Sequence, residues 1–235
     1  LGASCLDLTG SSSEYAAQTS ATTFNFGDAW SVEMWFKTST DSDMYLLDMY
    51  NGSNNNNRVR IYTNSTDNQI GIDVWNSSAS EFSTATTGID FRDGKWHHLA
   101  FTQSGTERKI YYDGKLTSQV SASTVDRDAD PSMKLYVGAK IGGGLGSYFT
   151  GAIDNVRIYH DVRTEAEIRT YMFDDSPSGA GTNNLNAQYL FNEGTGTAID
   201  NLQGTAARDL VLSDAGGWAG AGTFTYGTST LVMSG

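Results

Sequence analysis

The stretch WSVEMWFK, residues 30–37, sets Val32, Met34 and Phe36 against Ser31, Glu33, Trp35 and Lys37. Strict alternation over eight residues predicts a half-buried β-strand, with the apolar members on the core side. The pattern returns twice downstream. Val59 and Ile61 alternate with Arg58, Arg60 and Tyr62, and Ile70, Ile72 and Val74 with Gln69, Gly71, Asp73 and Trp75. Further strands are expected at 5–8, 44–49, 97–102, 109–112, 135–138, 152–159 and 188–191. Asp93-Gly94 and Asp113-Gly114 supply residues that tolerate positive φ, as tight hairpins require. Many short strands at this spacing argue for a sandwich or barrel rather than a βαβ fold.

Composition agrees. Ser, Thr and Asn number 25, 26 and 15 in 235 residues, with 26 Gly and 2 Pro, a mixture that favours strands joined by polar turns over helices. One helix is expected: Thr164 and Glu167 form a capping box, and Ile168, Tyr171 and Met172 then mark one face. Fifteen basic against 27 acidic residues give a net charge of −12, which argues against nucleic acid or anionic lipid as the main partner. No apolar run reaches the length of a transmembrane helix, so membrane insertion is not expected. The single cysteine, Cys5, cannot form an internal disulfide and reads as a buried thiol. The chain starts at Leu1, as a mature fragment or an excised region would. Residues 174–184 (DDSPSGAGTNN) read as a linker, and 50–57 and 142–146 as flexible loops.

Five phrases in order resemble the laminin-G-like jelly-roll family of the concanavalin A-like lectin/glucanase superfamily. They are LDLTGSSSEYA (6–16), WSVEMWFK (30–37), DGKWHHLA (93–100) with IYYDGK (110–115), FTGAIDNVRIY (149–159) and RTEAEI (163–168). A sixth, YLFNEGTG (189–196), followed by 200–204 and Trp218, resembles a segment that in many relatives precedes the opening strand. The resemblance implies an all-β, two-sheet antiparallel jelly-roll sandwich with one short helix. The domain expectation is a single unit, 1–235, in which 185–235 closes the sheet from the C-terminal side. The alternative is a second repeat cut short.

Glycan-cleaving enzymes on this fold carry a Glu-x-Asp-x-Glu strand, and the chain has none, so a non-catalytic role is expected. His97 and His98 are adjacent in a strand and face opposite sides. Relatives often hold one Ca²⁺ through an Asp of the closing strand and backbone carbonyls. The resemblance therefore assigns Asp154 as the carboxylate, with carbonyls at Gly10 and near Asn192. Asp154 lies in phase with Ala152, Val156 and Ile158, which would aim its carboxylate at the apolar side, where it needs a metal or turn N–H partners. Asp126, Asp128 and Asp130 alternate too, but as a solvated acidic loop.

Three aromatic–charged pairs, Glu33 with Trp35, Arg60 with Tyr62 and Asp73 with Trp75, suit a glycan strip in which rings stack on sugar C–H faces and charges fix hydroxyls. The same pattern also fits rings that simply pack. The ligand-binding residues expected are Arg60, Tyr62, Asp73 and Trp75. The function expected is an extracellular, cell-surface or virion-surface module that binds a glycan or glycosylated surface. A structural domain that contacts neighbouring subunits of a larger assembly is the alternative. Sequons at Asn51, Asn64 and Asn76 matter only in a eukaryotic secretory host.

Overall fold

The computed structural model describes residues 5–10, 14–22, 24, 26–50, 58–76, 79–85, 89–121, 133–141, 146–176, 184–193, 197–203 and 208–213. The expectations for 51–57, 126–130, 142–145, the middle of the 174–184 linker and Trp218 fall outside them.

Two antiparallel sheets face each other, as the resemblance implies. The seven-stranded sheet runs β1 (Leu6–Thr9), β12 (Thr150–Tyr159), β3 (Ala29–Lys37), β8 (Trp96–Ser104), β9 (Glu107–Tyr112) and β10 (Lys115–Ser121). Its seventh member, β13 (Leu185–Tyr189), also pairs with β12. The eight-stranded sheet runs β14 (Ala198–Ile199), β15 (Leu210–Ser213), β2 (Tyr15–Gln18), β11 (Lys134–Val137), β4 (Met44–Tyr50), β5 (Val59–Asn64), β6 (Gln69–Asn76) and β7 (Ala79–Ala85). The C-terminal strands thus join both sheets, β13 through β12 and β15 through β2.

The alternating residues fill the space between the sheets. Trp30, Val32, Met34 and Phe36 meet Val59, Ile61, Ile70, Ile72 and Val74 in one core. Removing that apolar area from water is the main drive for closing the sandwich, roughly 25 cal/mol per Å².

α1 (Glu165–Tyr171) starts on the expected box. The Thr164 side chain accepts from Glu167 N, and the Glu167 carboxylate accepts from Thr164 N at 2.9 Å. Ile168 packs on Ala100 and Tyr111, which face away from the main core. The helix is therefore a cover on the outside of the seven-stranded sheet. Among the described residues no helix is long and apolar enough to cross a membrane.

One element of β12 departs from expectation. The register against β3 breaks between Asp154 and Arg157, and Asn155 sits at φ 48°. This bulge changes the phase of the strand. Ile153, Val156 and Ile158 face the core, while Asp154 pairs with Trp35 on the outer side. The expectation that Asp154 shares a face with Val156 and Ile158 is corrected: it points away from the main core.

Candidate functional site

The outer face of the eight-stranded sheet brings the four expected ligand residues together. Arg60 on β5 lies opposite Asp73 on β6, and Asp48 on β4 lies opposite Arg60. One guanidinium nitrogen of Arg60 donates to Asp73 Oδ2, and the Tyr62 hydroxyl lies 3.3 Å from Asp73 Oδ1. The Arg60 guanidinium also sits 5.2 Å from the Trp75 ring centre and 5.8 Å from that of Tyr45. Tyr45 and Tyr62 are 5.7 Å apart. Tyr62 pairs with Gly71, where a Cβ would come within 2.4 Å of Cζ of the Tyr62 ring. The glycine lets that ring lie down over β6.

Two further groups extend the face. The Arg58 guanidinium grips Asp48 through Nε at 2.8 Å and Nη2 at 2.5 Å, and Ile141 N donates to the same carboxylate at 2.9 Å. Toward the other side, Tyr15 lies 6.1 Å from Tyr136 and 6.4 Å from Tyr148. Tyr15, Tyr45, Tyr62, Trp75, Tyr136 and Tyr148 are all half-buried, so each ring keeps an edge or face in water. From β2 to β6 the rings span four strand spacings, about 19 Å. A surface of fixed rings between oriented charges can stack a sugar and fix its hydroxyls at the same time. Reasoning from sequence missed Tyr15, Tyr45, Tyr136 and Tyr148. Tyr45 and Tyr136 lie in strands that were expected, but the charged residues two positions back, Asp43 and Lys134, fall just outside the expected bounds of 44–49 and 135–138.

The third pair, Glu33 with Trp35, does not belong to this face. Both lie on the other sheet, fully covered, and Trp35 Nε1 donates to Met172 O at 2.7 Å. Beneath the cover, Glu33 Oε2 is 3.8 Å from His98 Nε2 and 3.9 Å from Arg157 Nη1. Burial pushes the Glu33 carboxyl up to about 7 and holds His98 neutral, down at about 3. Arg157 ties the cover down by donating to Tyr171 O at 2.8 Å and to Asp174 O. This cluster is internal, so a glycan has no access to the Glu33–Trp35 pair.

The expected metal residues are only partly brought together. Asp154 is buried, and neither carboxylate oxygen has a hydrogen-bond partner among the described residues. Burial pushes its carboxyl up to about 7, opposed by the nearby Asn155 N–H and reinforced by the like charge of Asp175. The site lies at a junction: β1 pairs with β12 up to Ile153, and β13 pairs from Val156 onward. Asn192 is exposed, three residues beyond Tyr189, the partner of Val156, so the chain there runs toward the Asp154 end of the junction. Gly10 is elsewhere. Thr9 pairs with Thr150, which leaves Gly10 about 16 Å along β1 from Cys5, the neighbour of Asp154. At Gly10 a Cβ would meet Thr150 Oγ1 at 1.9 Å, which accounts for the glycine by close approach.

An unpartnered buried carboxylate is what an oxygen-seeking cation would satisfy, and Asp154 fits Ca²⁺ in that respect. Among the described residues no three His, Cys, Asp or Glu side chains form a metal cluster, so backbone oxygens would have to complete the shell. Cys5 beside it is buried, and burial together with Asp154 and Asp7 pushes its thiol up to about 12, so it stays protonated.

The profile of the concanavalin A-like lectin/glucanases superfamily matches residues 10–169 through its laminin G branch. No curated protein sequence is significantly similar. Among solved structures, a Bacteroides ovatus protein assigned to carbohydrate binding superposes with a TM-score of 0.61 at 14% identity, covering 89% of this chain. The chain spans 60% of that protein's length. The Ruminococcus gnavus sialidase module CBM40 bound to α2,6 sialyllactose gives 0.55 at 14% identity, with 71% of this chain and 95% of the module covered. Mouse laminin α1 domains LG4-5 give 0.53 at 18% identity, covering 67% of this chain and 41% of theirs. With the sandwich, the family profile and the capped closing helix in agreement, the chain belongs to the laminin-G-like family of the concanavalin A-like lectin/glucanase superfamily.

Proposed function

We propose that the chain is a non-catalytic module that binds a glycan across the outer face of the eight-stranded sheet, through Arg60, Tyr62, Asp73 and Trp75. The observation that carries this is the half-buried aromatic surface around one oriented Arg–Asp pair. Its rings contribute to no apolar core and stay in contact with water. That one structurally similar module holds sialyllactose and another protein carries a carbohydrate-binding assignment supports the reading. We place the activity outside the cell, on a cell or virion surface where glycans are displayed, and assign it a role in adhesion.

Calcium has a supporting part in this reading. Asp154 would supply a carboxylate, and backbone carbonyls near Asn192 would add oxygens. The ion would lie on the seven-stranded sheet, away from the sugar, so its contribution is to stability.

A glycan array with the purified chain, in calcium and in EDTA, tests both parts. Defined hits are expected, and Trp75→Ala or Tyr62→Ala should weaken them about tenfold, the loss of roughly 1.4 kcal/mol of ring stacking, while the melting temperature stays within a few degrees. A folded chain that gives no hit overturns the glycan reading. A melting temperature indifferent to calcium overturns the metal.

A further inference from the structure

The charges on the ring-bearing face run against those of the chain. The protein carries −12 overall. On β4, β5, β6 and β11 and the residues just after β11, the outward charged side chains are Arg58, Arg60, Lys134 and Lys140 against Asp48 and Asp73. The two carboxylates are already taken, Asp48 by Arg58 and Asp73 by Arg60. Asp43, just before β4, turns to the 65–68 turn and accepts from Ser65 N and Oγ. Lys134 and Lys140 make no ion pair with a carboxylate among the described residues. Of the segments that adjoin these strands in sequence, 51–57 and 142–145 contain no ionisable side chain, and 122–132, before β11, carries Asp126, Arg127, Asp128 and Asp130.

Of the two lysines, Lys140 is placed among the rings. Its ammonium is 5.6 Å from the centre of the Tyr45 ring, which also lies next to Tyr62 and the Arg60 guanidinium. Its backbone is fixed by a two-way bridge to Gly146, with N to O distances of 3.1 and 3.0 Å. A sugar stacked on Tyr45 or Tyr62 would therefore have at its edge the ammonium of a half-buried lysine that pairs with no carboxylate among the described residues. Partial burial strengthens its pairing with a ligand anion, since solvent screens it less.

We infer that the ligand of this face is an anionic glycan, bearing a carboxylate or a sulfate ester, and that Lys140 receives its acid group. The inference rests on the glycan reading above and goes further by naming the ligand's charge.

Three matched pairs of probes test it by calorimetry at low salt: sialyllactose with lactose, oligogalacturonate with its methyl ester, and chondroitin sulfate oligosaccharide with desulfated chondroitin. The charged member of at least one pair should bind about tenfold more tightly, an advantage that shrinks as salt rises. The first two pairs report on a carboxylate and the third on a sulfate. Lys140→Met should bring the ratio within that pair to about one, and Lys140→Arg should retain it. Lys95→Met, which removes an equal charge from the other sheet, should leave the ratio unchanged. Equal binding of charged and neutral members, binding of neutral glycans alone, or an unchanged ratio in folded Lys140→Met overturns the inference and leaves the glycan reading standing. Absence of binding to any glycan overturns that reading itself.

Discussion

The two outer faces of this sandwich begin from the same kind of sequence and end in opposite states. On the seven-stranded sheet, Glu33, Trp35, His98 and Arg157 lie under α1 and the segment after it. On the eight-stranded sheet, Arg60, Tyr62 and Trp75 stay half-exposed, with Asp73 held beneath them. Both faces carry an arginine, a carboxylate and a tryptophan. The difference lies in how the charges are satisfied. Arg60 and Asp73 complete each other directly in a largely buried pair, over which the Tyr62 and Trp75 rings keep contact with water. Glu33 has no hydrogen-bond partner among the described residues, and Arg157 instead donates to backbone carbonyls of the cover and to Asn155 Oδ1. One arginine holds a lid shut; the other holds a surface in shape.

The sharpest way to break the comparison is to remove each arginine in turn. Arg157→Ala strips the cover of two anchors and takes from buried Glu33 the guanidinium 3.9 Å away, so a loss of about 3–5 kcal/mol is expected in chemical denaturation. Arg60→Ala should cost about 1–3 kcal/mol, because it leaves the nearly buried Asp73 carboxylate with only a hydroxyl, that of Tyr62, beside it, while glycan binding falls sharply. Equal stability losses would mean that the two faces are not distinct.

Asp154 gives the next largest effect, and its sign depends on calcium. Its folded carboxyl is raised to about 7 from an ordinary value of 3.8. The folded chain therefore binds a proton that the unfolded chain releases between about pH 4 and 7, and metal-free stability falls as pH rises through that window. Glu33, raised to about 7 from 4.5, acts in the same direction. In EDTA at pH 8, Asp154→Asn should raise the melting temperature by a few degrees, since it removes an unpaired buried charge. In millimolar calcium the same substitution should lower it. A substitution with the same sign in both buffers rules the metal out.

The smallest effect concerns the end of the sandwich, away from both outer faces. His97 Nδ1 and Nε2 lie 2.9 Å from Asp113 and 3.0 Å from Asp93, and these carboxylates raise its pKa although burial opposes them. Its stabilisation is complete below the ordinary histidine value and is lost as pH rises through the raised one. His97→Asn should cost about 0.5–1 kcal/mol at pH 6 and less at pH 9, measured by urea unfolding at both. An equal cost at the two values would mean that the ring serves only by packing on Tyr112, 4.8 Å away.

Strand alternation made most of the fold legible, because a two-residue period assigns each side chain to a face without knowledge of the partner strand. β3, β5 and β6 were readable for that reason, and α1 because a capping box is local in sequence. β10 was not. Its residues, KLTSQVS, are mostly exposed on a sheet edge, so they carry no apolar period. β13 was expected at 188–191 and forms at Leu185–Tyr189. Its pairing with β12 begins at Leu185, opposite Tyr159, and its polar members are held by distant groups. Gln188, for example, donates to Asn155 Oδ1 at 3.0 Å. The four ligand residues were named from aromatic–charged pairs on alternating strands, whereas Tyr15, Tyr136 and Tyr148 meet only because β2, β11 and the segment before β12 converge.

By itself the sequence determined most of the strands, the helix start and the family, since periodicity, capping and motif order are properties of neighbours along the chain. Tertiary structure alone decided which polar face was closed, through the packing of α1 on Ala100 and Tyr111. It also decided where Asp154 points, because a single left-handed Asn155 reverses the phase of β12, and Asn adopts that conformation at small cost without announcing it. Both outcomes depend on contacts between residues far apart in the chain, and no local pattern encodes them.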